Sequence, residues 1–211
     1  MCRLLAVRSG DPMDTADVLR PFAAMARASR EFQGDGWGCA WWTGESWHRY
    51  RTVLPIWEDD LTRFGAHRLF VAHARSAFRN EGIEEANNMP FVAGDAAFVF
   101  NGELRGVRIA EQGRIGAEKL FNFIERAHPA GSGTWRRTIE IVQARTRYVR
   151  AMNFVHARPA AFAVVSVFNE DAEYFTMSAR RDARSVIVCS APLAGFDRWA
   201  PIASGSLEIL S

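Results

Sequence analysis

The chain opens MCRLLAVRSG (residues 1–10), and the reading of this stretch decides the fold. With Arg3 set aside, Cys2 to Val7 is a short apolar run of the kind that forms a buried strand. Strands are expected again near the other end, in "AAFAVVSVF" (160–168), "AEYFTMSA" (172–179), "SVIVCSA" (185–191) and "SLEIL" (206–210). Helices are expected between, so the pattern is α+β and layered, and the first strand can sit at the centre of its sheet.

Working outward, Asp14 to Ser29 carries Ala, Leu, Phe and Met at helical intervals, with Pro21 starting or interrupting that helix. "GCAWW" (38–42) and "WHRYR" (47–51) flank a "TGES" turn and read as a hairpin. A short helix is expected over Glu58–His67, then strands "RLFVAHA" (68–74) and "AAFVFNG" (96–102). Helices are expected over Ala117–Ala127 and Trp135–Ala151, joined by a turn in "PAGSGTW" (129–135).

Bulk properties remove several classes of function. The 211 residues carry 26 basic and 24 acidic side chains, a formal +2, so no concentrated positive charge marks a nucleic-acid binder or a membrane anchor. No apolar run approaches the ~20 residues that span a bilayer. Arg8, Asp11 and Asp14 interrupt the start before a secretory pattern can form. Three widely separated cysteines make no disulfide framework, and the Cys and His residues show no paired metal-ligand spacing. Cys39 and Cys189 are expected to be buried. A cytoplasmic protein without cofactor or metal is expected.

Four stretches carry candidate chemistry. Removal of Met1, which a small second side chain permits, would leave Cys2 with both a thiol, pKa about 8.5, and an α-amine, pKa about 8. One residue would then supply a nucleophile and its base. The strand "FVFNGEL" (98–104) ends in Asn101-Gly102, where an amide N–H beside a glycine N–H can face a developing oxyanion. In "VAHARSAF" (71–78), Arg75 stands at a strand's end and can clamp a carboxylate, with His73 on the same face. "GDGWG" (34–38) is a tight glycine loop whose Gly36 and Trp37 can wall a pocket around the N-terminus. Plainer roles are open to each: Cys2 a small hydrophobe, Asn-Gly a hairpin turn, Arg75 a surface ion pair, His73 a packing group, Trp37 core. The cluster Trp37, Trp41, Trp42 and Trp47 reads as packing, since no basic stripe accompanies it.

Taken in order, "MCRLLA", "GDGWG", "AHAR", "NNMPF" and "FNGEL" resemble the class II glutamine amidotransferases, which are N-terminal-nucleophile hydrolases, and most nearly their small stand-alone members. The resemblance spans most of the chain; the tail "VIVCSAPL" echoes weakly a stretch that usually reads Ala-Ser-Glu-Pro. It implies a single domain over 2–211 with a four-layer αββα sandwich. It implies Cys2 as nucleophile, Asn101 and Gly102 as the oxyanion hole, and Arg75 on the substrate's α-carboxylate. Two positions depart from the pattern. Phe78 stands where a threonine usually helps bind that carboxylate, and Gly116 where an aspartate usually grips the α-ammonium. The expected activity is hydrolysis of a γ-glutamyl amide through an acyl-thioester, releasing ammonia or an amine. The expected partners are that small molecule, an ammonia-accepting synthetase on another chain, and a second copy in a homodimer. The two departures also motivate a second reading, an idle binding or regulatory subunit on the same fold.

Overall fold

The computed structural model describes residues 1–128 and 134–211. The turn expected over 129–135 lies mostly outside the described residues. The first strand runs further than its apolar run, β1 covering Arg3–Asp14, and Asp14 then caps helix α1 (Thr15–Arg27), its Oδ1 accepting from Ala16 N at 2.9 Å. Next come β2 (Trp37–Trp42), β3 (Trp47–Thr52), β4 (Ala66–Ala74), β5 (Phe91–Ala93) and β6 (Ala96–Val107). Helices α2 (Gly116–Ala127) and α3 (Trp135–Ala144) lead to β7 (Thr146–Ala157) and β8 (Phe162–Ser166). The chain closes with α4 (Ala172–Phe175), β9 (Met177–Arg181), β10 (Ser185–Cys189), β11 (Trp199–Ile202) and β12 (Ser206–Leu210).

These strands form a seven-stranded sheet, β11-β9-β10-β1-β4-β2-β3, and a five-stranded sheet, β12-β8-β7-β6-β5. β1 is the middle strand of the larger sheet, antiparallel to β10 and β4. Its side chains alternate between two cores. Leu4 and Ala6 face the second sheet, where they join Val71, Val99 and Val155. Leu5 and Val7 face α1, packing with Leu19, Phe22 and Phe70. On the far side α2 covers the second sheet, with Phe121 stacked on Phe98 at 5.5 Å, and α3 sets Trp135 against Phe154 at 6.3 Å. The layers are therefore αββα. Each large apolar side chain buried in them contributes roughly 1.5–3 kcal/mol.

The hairpin at the "TGES" turn forms as expected, with Trp42 opposite Trp47. Two helical expectations do not hold. Residues 58–67 give only a 3-10 turn at Ile56–Glu58 and further turns before β4 starts at Ala66. The helix expected to run to Ala151 stops at Ala144, and β7 follows. β7 pairs with β6 along nearly its whole length, Val107↔Thr146 to Ala97↔Ala157. That long ladder outweighs the local helix preference of 145–151, where Thr146, Tyr148 and Val149 are residues that strands also accept. "AEYFTMSA" splits into the short α4 and β9. Among the described residues no helix is long and apolar enough to cross a membrane.

Candidate active site

The site lies where the two sheets meet at the start of β1. Alternation puts Cys2 on the face of Leu4 and Ala6, toward the second sheet. Its Sγ accepts from Ser76 N at 3.5 Å and lies 3.6 Å from Ser76 O, just past the end of β4. Burial pushes the thiol pKa up, against the opposing pull of the N-terminal ammonium, the Ser76 N–H and Arg75. The strand start is held firmly. Leu4 N donates to Ser190 Oγ at 2.9 Å and Ser190 N to Leu4 O at 3.0 Å, so the serine of "VIVCSAPL" anchors β1. Arg3 lies over the Tyr174 ring, 3.9 Å from its centroid, and donates to Ser29 Oγ.

Arg75 is buried, and its two side-chain partners are neutral: Asn88 Oδ1 at 3.3 Å and Glu81 O at 3.4 Å. Burial draws its pKa down, opposed by Cys2, Asp35 and Glu84. A buried guanidinium without a bonded carboxylate is poised for an anionic ligand. The glycine loop shapes this side. Arg75 N donates to Gly36 O at 2.9 Å, Asp35 N to Arg75 O at 3.2 Å, and Asp35 Oδ2 accepts from Ala77 N at 2.7 Å. Gly36 has φ +114°, and a Cβ there would meet Asn88 Nδ2 at 2.2 Å and Thr52 O at 2.6 Å. Gly36 thus lets the "NNMPF" segment close over Arg75. Asn88 Nδ2 donates to Thr52 O at 2.6 Å, which fixes the amide oxygen that faces Arg75.

The second sheet supplies Asn101 and Gly102. Phe98 faces α2, so Asn101, three residues on, faces the first sheet. His73 Nε2 donates to Phe100 O at 3.1 Å, tying the end of β4 to the residue before Asn101. On the other side Met1 packs against the cluster of Ala151, Tyr174 and Phe175, and Ala151 pairs with Glu103. Asn101-Gly102 is bracketed by these two contacts with the Cys2 end of the first sheet. Asn101 is 1% exposed, and neither its Nδ2 nor its Oδ1 has a hydrogen-bond partner among the described residues. Leaving such groups unpaired costs about 1–3 kcal/mol each unless a ligand uses them. Gly102 is required where it stands: a Cβ would meet Ala151 O at 2.2 Å.

Two candidates take other places. Trp37 is fully buried and points away from Cys2, under α1, with Phe64 and Tyr50 each 5.5 Å away and its indole N–H on Asp59 Oδ2 at 2.9 Å. His73 is completely buried and bridges the sheets through Nε2, and its Nδ1 has no partner among the described residues; burial pushes its pKa down to about 3. It is a neutral hydrogen-bond donor, not a base. Phe78 is exposed, and the space beside Gly116 is open to 4 Å. Glu118 pairs with Arg114 at 2.6 Å. Cys39 and Cys189 are buried, and burial raises their pKa values. Among the described residues no three His, Cys, Asp or Glu side chains gather as metal ligands.

Residues that the motifs do not point to surround Met1. Its ammonium pairs with Glu31, and its carbonyl accepts from Gln33 Nε2 and Tyr174 Oη, each at 2.6 Å. Its side chain packs, as does Phe168, against the cluster of Ala151, Tyr174 and Phe175. The only sequence signal for this pocket is distance itself: Tyr174 lies 173 residues from the atom it binds.

No family model matches the chain, and no curated protein matches it. Solved structures do. A class-II glutamine aminotransferase domain protein from Silicibacter pomeroyi superposes with TM-score 0.66 at 18% identity, over 99% of this chain and 94% of that one. A predicted glutamine amidotransferase from Pseudomonas aeruginosa PA01 gives 0.58 at 16%, over 99% and 97%. The glutamine phosphoribosylpyrophosphate amidotransferase from B. subtilis gives 0.60 at 16%, over 90% of this chain and 42% of that longer one. The chain shares its fold, the αββα sandwich, with these three structures.

Proposed function

We propose that the chain, once Met1 is removed, hydrolyses a γ-glutamyl amide, glutamine or a related one, with Cys2 as nucleophile. The observation that carries this reading is Asn101, a buried amide with no hydrogen-bond partner among the described residues, next to a glycine and beside the strand end that holds a thiol. Its fold, shared with glutamine amidotransferase domains, supports the same class of reaction.

The steps follow from the groups present. A thiol, with an ordinary pKa of about 8.5, is mostly protonated at neutral pH, so it needs a base. The freed α-amine of Cys2, with a pKa of about 8, takes the thiol proton. Sulfur then bonds to the amide carbon, and the carbonyl oxygen gains negative charge facing the Asn101 amide and Gly102 N–H. A preorganised donor of this kind contributes about 3–4 kcal/mol to the transition state. The α-ammonium returns the proton to the leaving nitrogen, the carbon–nitrogen bond breaks, and ammonia or an amine departs from a thioester. Water adds to that thioester with the amine again as base, the carbon–sulfur bond breaks, and the thiol is restored. Arg75 holds the carboxylate of the glutamyl part.

The test is turnover of glutamine and a panel of γ-glutamyl amides, on protein whose loss of Met1 is verified by intact mass. Release of ammonia or amine that Cys2→Ala abolishes is the expected result. A fully processed chain that turns over no amide contradicts the reading and leaves an idle binding subunit.

A further inference from the structure

We propose that the space Met1 fills becomes, after its removal, a subsite for the leaving group of the amide, and that it selects a leaving amine carrying a second, positively charged ammonium. The inference rests on the hydrolase reading above and adds to it the substrate class, γ-glutamyl amides of short aliphatic diamines.

The pocket is built around a ligand-like occupant. Met1 places an ammonium on the Glu31 carboxylate and a carbonyl on two donors, and its side chain lies on the cluster of Ala151, Tyr174 and Phe175. Gln33 and Tyr174, the two donors, are 0% and 5% exposed. Gln33 Nε2 is further fixed by Glu31 O at 2.8 Å and Tyr174 Oη at 3.1 Å, while its buried Oε1 has no partner among the described residues. Removing Met1 therefore leaves a cavity with an apolar floor, two polar side chains and a carboxylate. Glu31 keeps only a share of Arg150, 3.7 Å away, because Arg150 also lies 3.1 Å from Asp171 and 3.6 Å from Glu103.

Position decides what the cavity binds. The Cys2 thiol turns toward Ser76, on the Arg75 side. Met1 turns the other way, toward β7 and α4. The α-ammonium and α-carboxylate of a glutamyl group share one carbon, so both belong with Arg75. The leaving nitrogen receives its proton from the Cys2 α-amine and so sits next to that amine. The Met1 cavity opens from the same atom, because Met1 is bonded to it. A short methylene chain from the leaving nitrogen would cross the apolar floor and set its far ammonium on Glu31.

The experiment compares kcat/KM for the γ-glutamyl amides of diaminobutane and pentylamine, which differ by an ammonium in place of a methyl group. Processed protein should prefer the charged amide by about ten- to hundredfold, the size of one charge-assisted hydrogen bond. In Glu31→Gln the ratio should fall to near one. A second readout needs no turnover: diaminobutane, and not pentylamine, should slow alkylation of Cys2 by iodoacetamide. Equal turnover of both amides without protection overturns the subsite while the hydrolase reading stands. Protection by diaminobutane, with neither amide nor glutamine nor any of the γ-glutamyl panel turned over, supports the subsite and ends the hydrolase reading.

Discussion

Asn101 of β6 and Asn153 of β7 face each other directly across the same antiparallel ladder. Both are asparagines, both are at most 1% exposed, and side chains directly opposite share one face of a sheet. Their amides fare differently. Asn153 Nδ2 donates to Phe175 O at 2.6 Å, and its Oδ1 accepts from Val167 N at 3.1 Å. It ties β7 to the last residue of α4 and to the residue after β8. Asn101 makes neither kind of bond within the described residues. Buried polar groups are satisfied wherever the fold can arrange it. The difference separates an amide bound into the fold from one left open, the one the proposed reaction would use.

The largest expected effects come from exchanging those fates. Asn101→Ala should lower kcat by about 10²–10³-fold, as for loss of one oxyanion donor, with the melting temperature unchanged or raised because an unpaired buried amide is removed. Asn153→Ala should do the reverse. It strands the Val167 N–H and the Phe175 carbonyl and should cost about 2–4 kcal/mol, with kcat per folded molecule nearly kept. Thermal denaturation and steady-state kinetics on the pair decide it. Equal loss of stability in both variants would break the comparison.

A smaller effect sharpens the same contrast at His73, whose Nε2 fixes the backbone just before Asn101. Its folded pKa of about 3 lies below the unfolded value near 6.5, so the unfolded chain takes up the proton first as pH falls. The stabilisation is complete above about pH 6.5 and is lost progressively down to about pH 3. At pH 5 this one group should cost the fold about 2 kcal/mol relative to pH 7. His73→Gln, which can keep a donor to Phe100 O without titrating, should flatten that part of the stability profile. An unaltered profile would mean that His73 is not held neutral.

Much of this was legible in the sequence, for identifiable reasons. β1 announces itself by a short apolar run, and its central place follows from strands at both ends of the chain. The proposed roles of Cys2, Arg75 and Asn101-Gly102 rest on short motifs whose chemistry is local. β7 was not legible, because its strand is fixed by partners in β6 some forty residues away in sequence, while its own residues suit a helix or a strand. Trp37 reads from sequence as pocket wall or core, and only the side it faces decides for core. Glu31, Gln33, Tyr174 and Asn153 carry no motif at all. Their roles come from contacts between segments far apart, which spacing along the chain does not encode.

The central claim is that Cys2, freed of Met1, becomes acylated opposite Asn101. The most direct measurement is intact mass of the processed protein, quenched in acid during turnover of a γ-glutamyl amide, followed by mapping of the N-terminal peptide. The account predicts a glutamyl adduct on the Cys2 sulfur that builds up and then decays by hydrolysis. Product release with the adduct on another residue, or with none formed under conditions that trap thioesters, would contradict it.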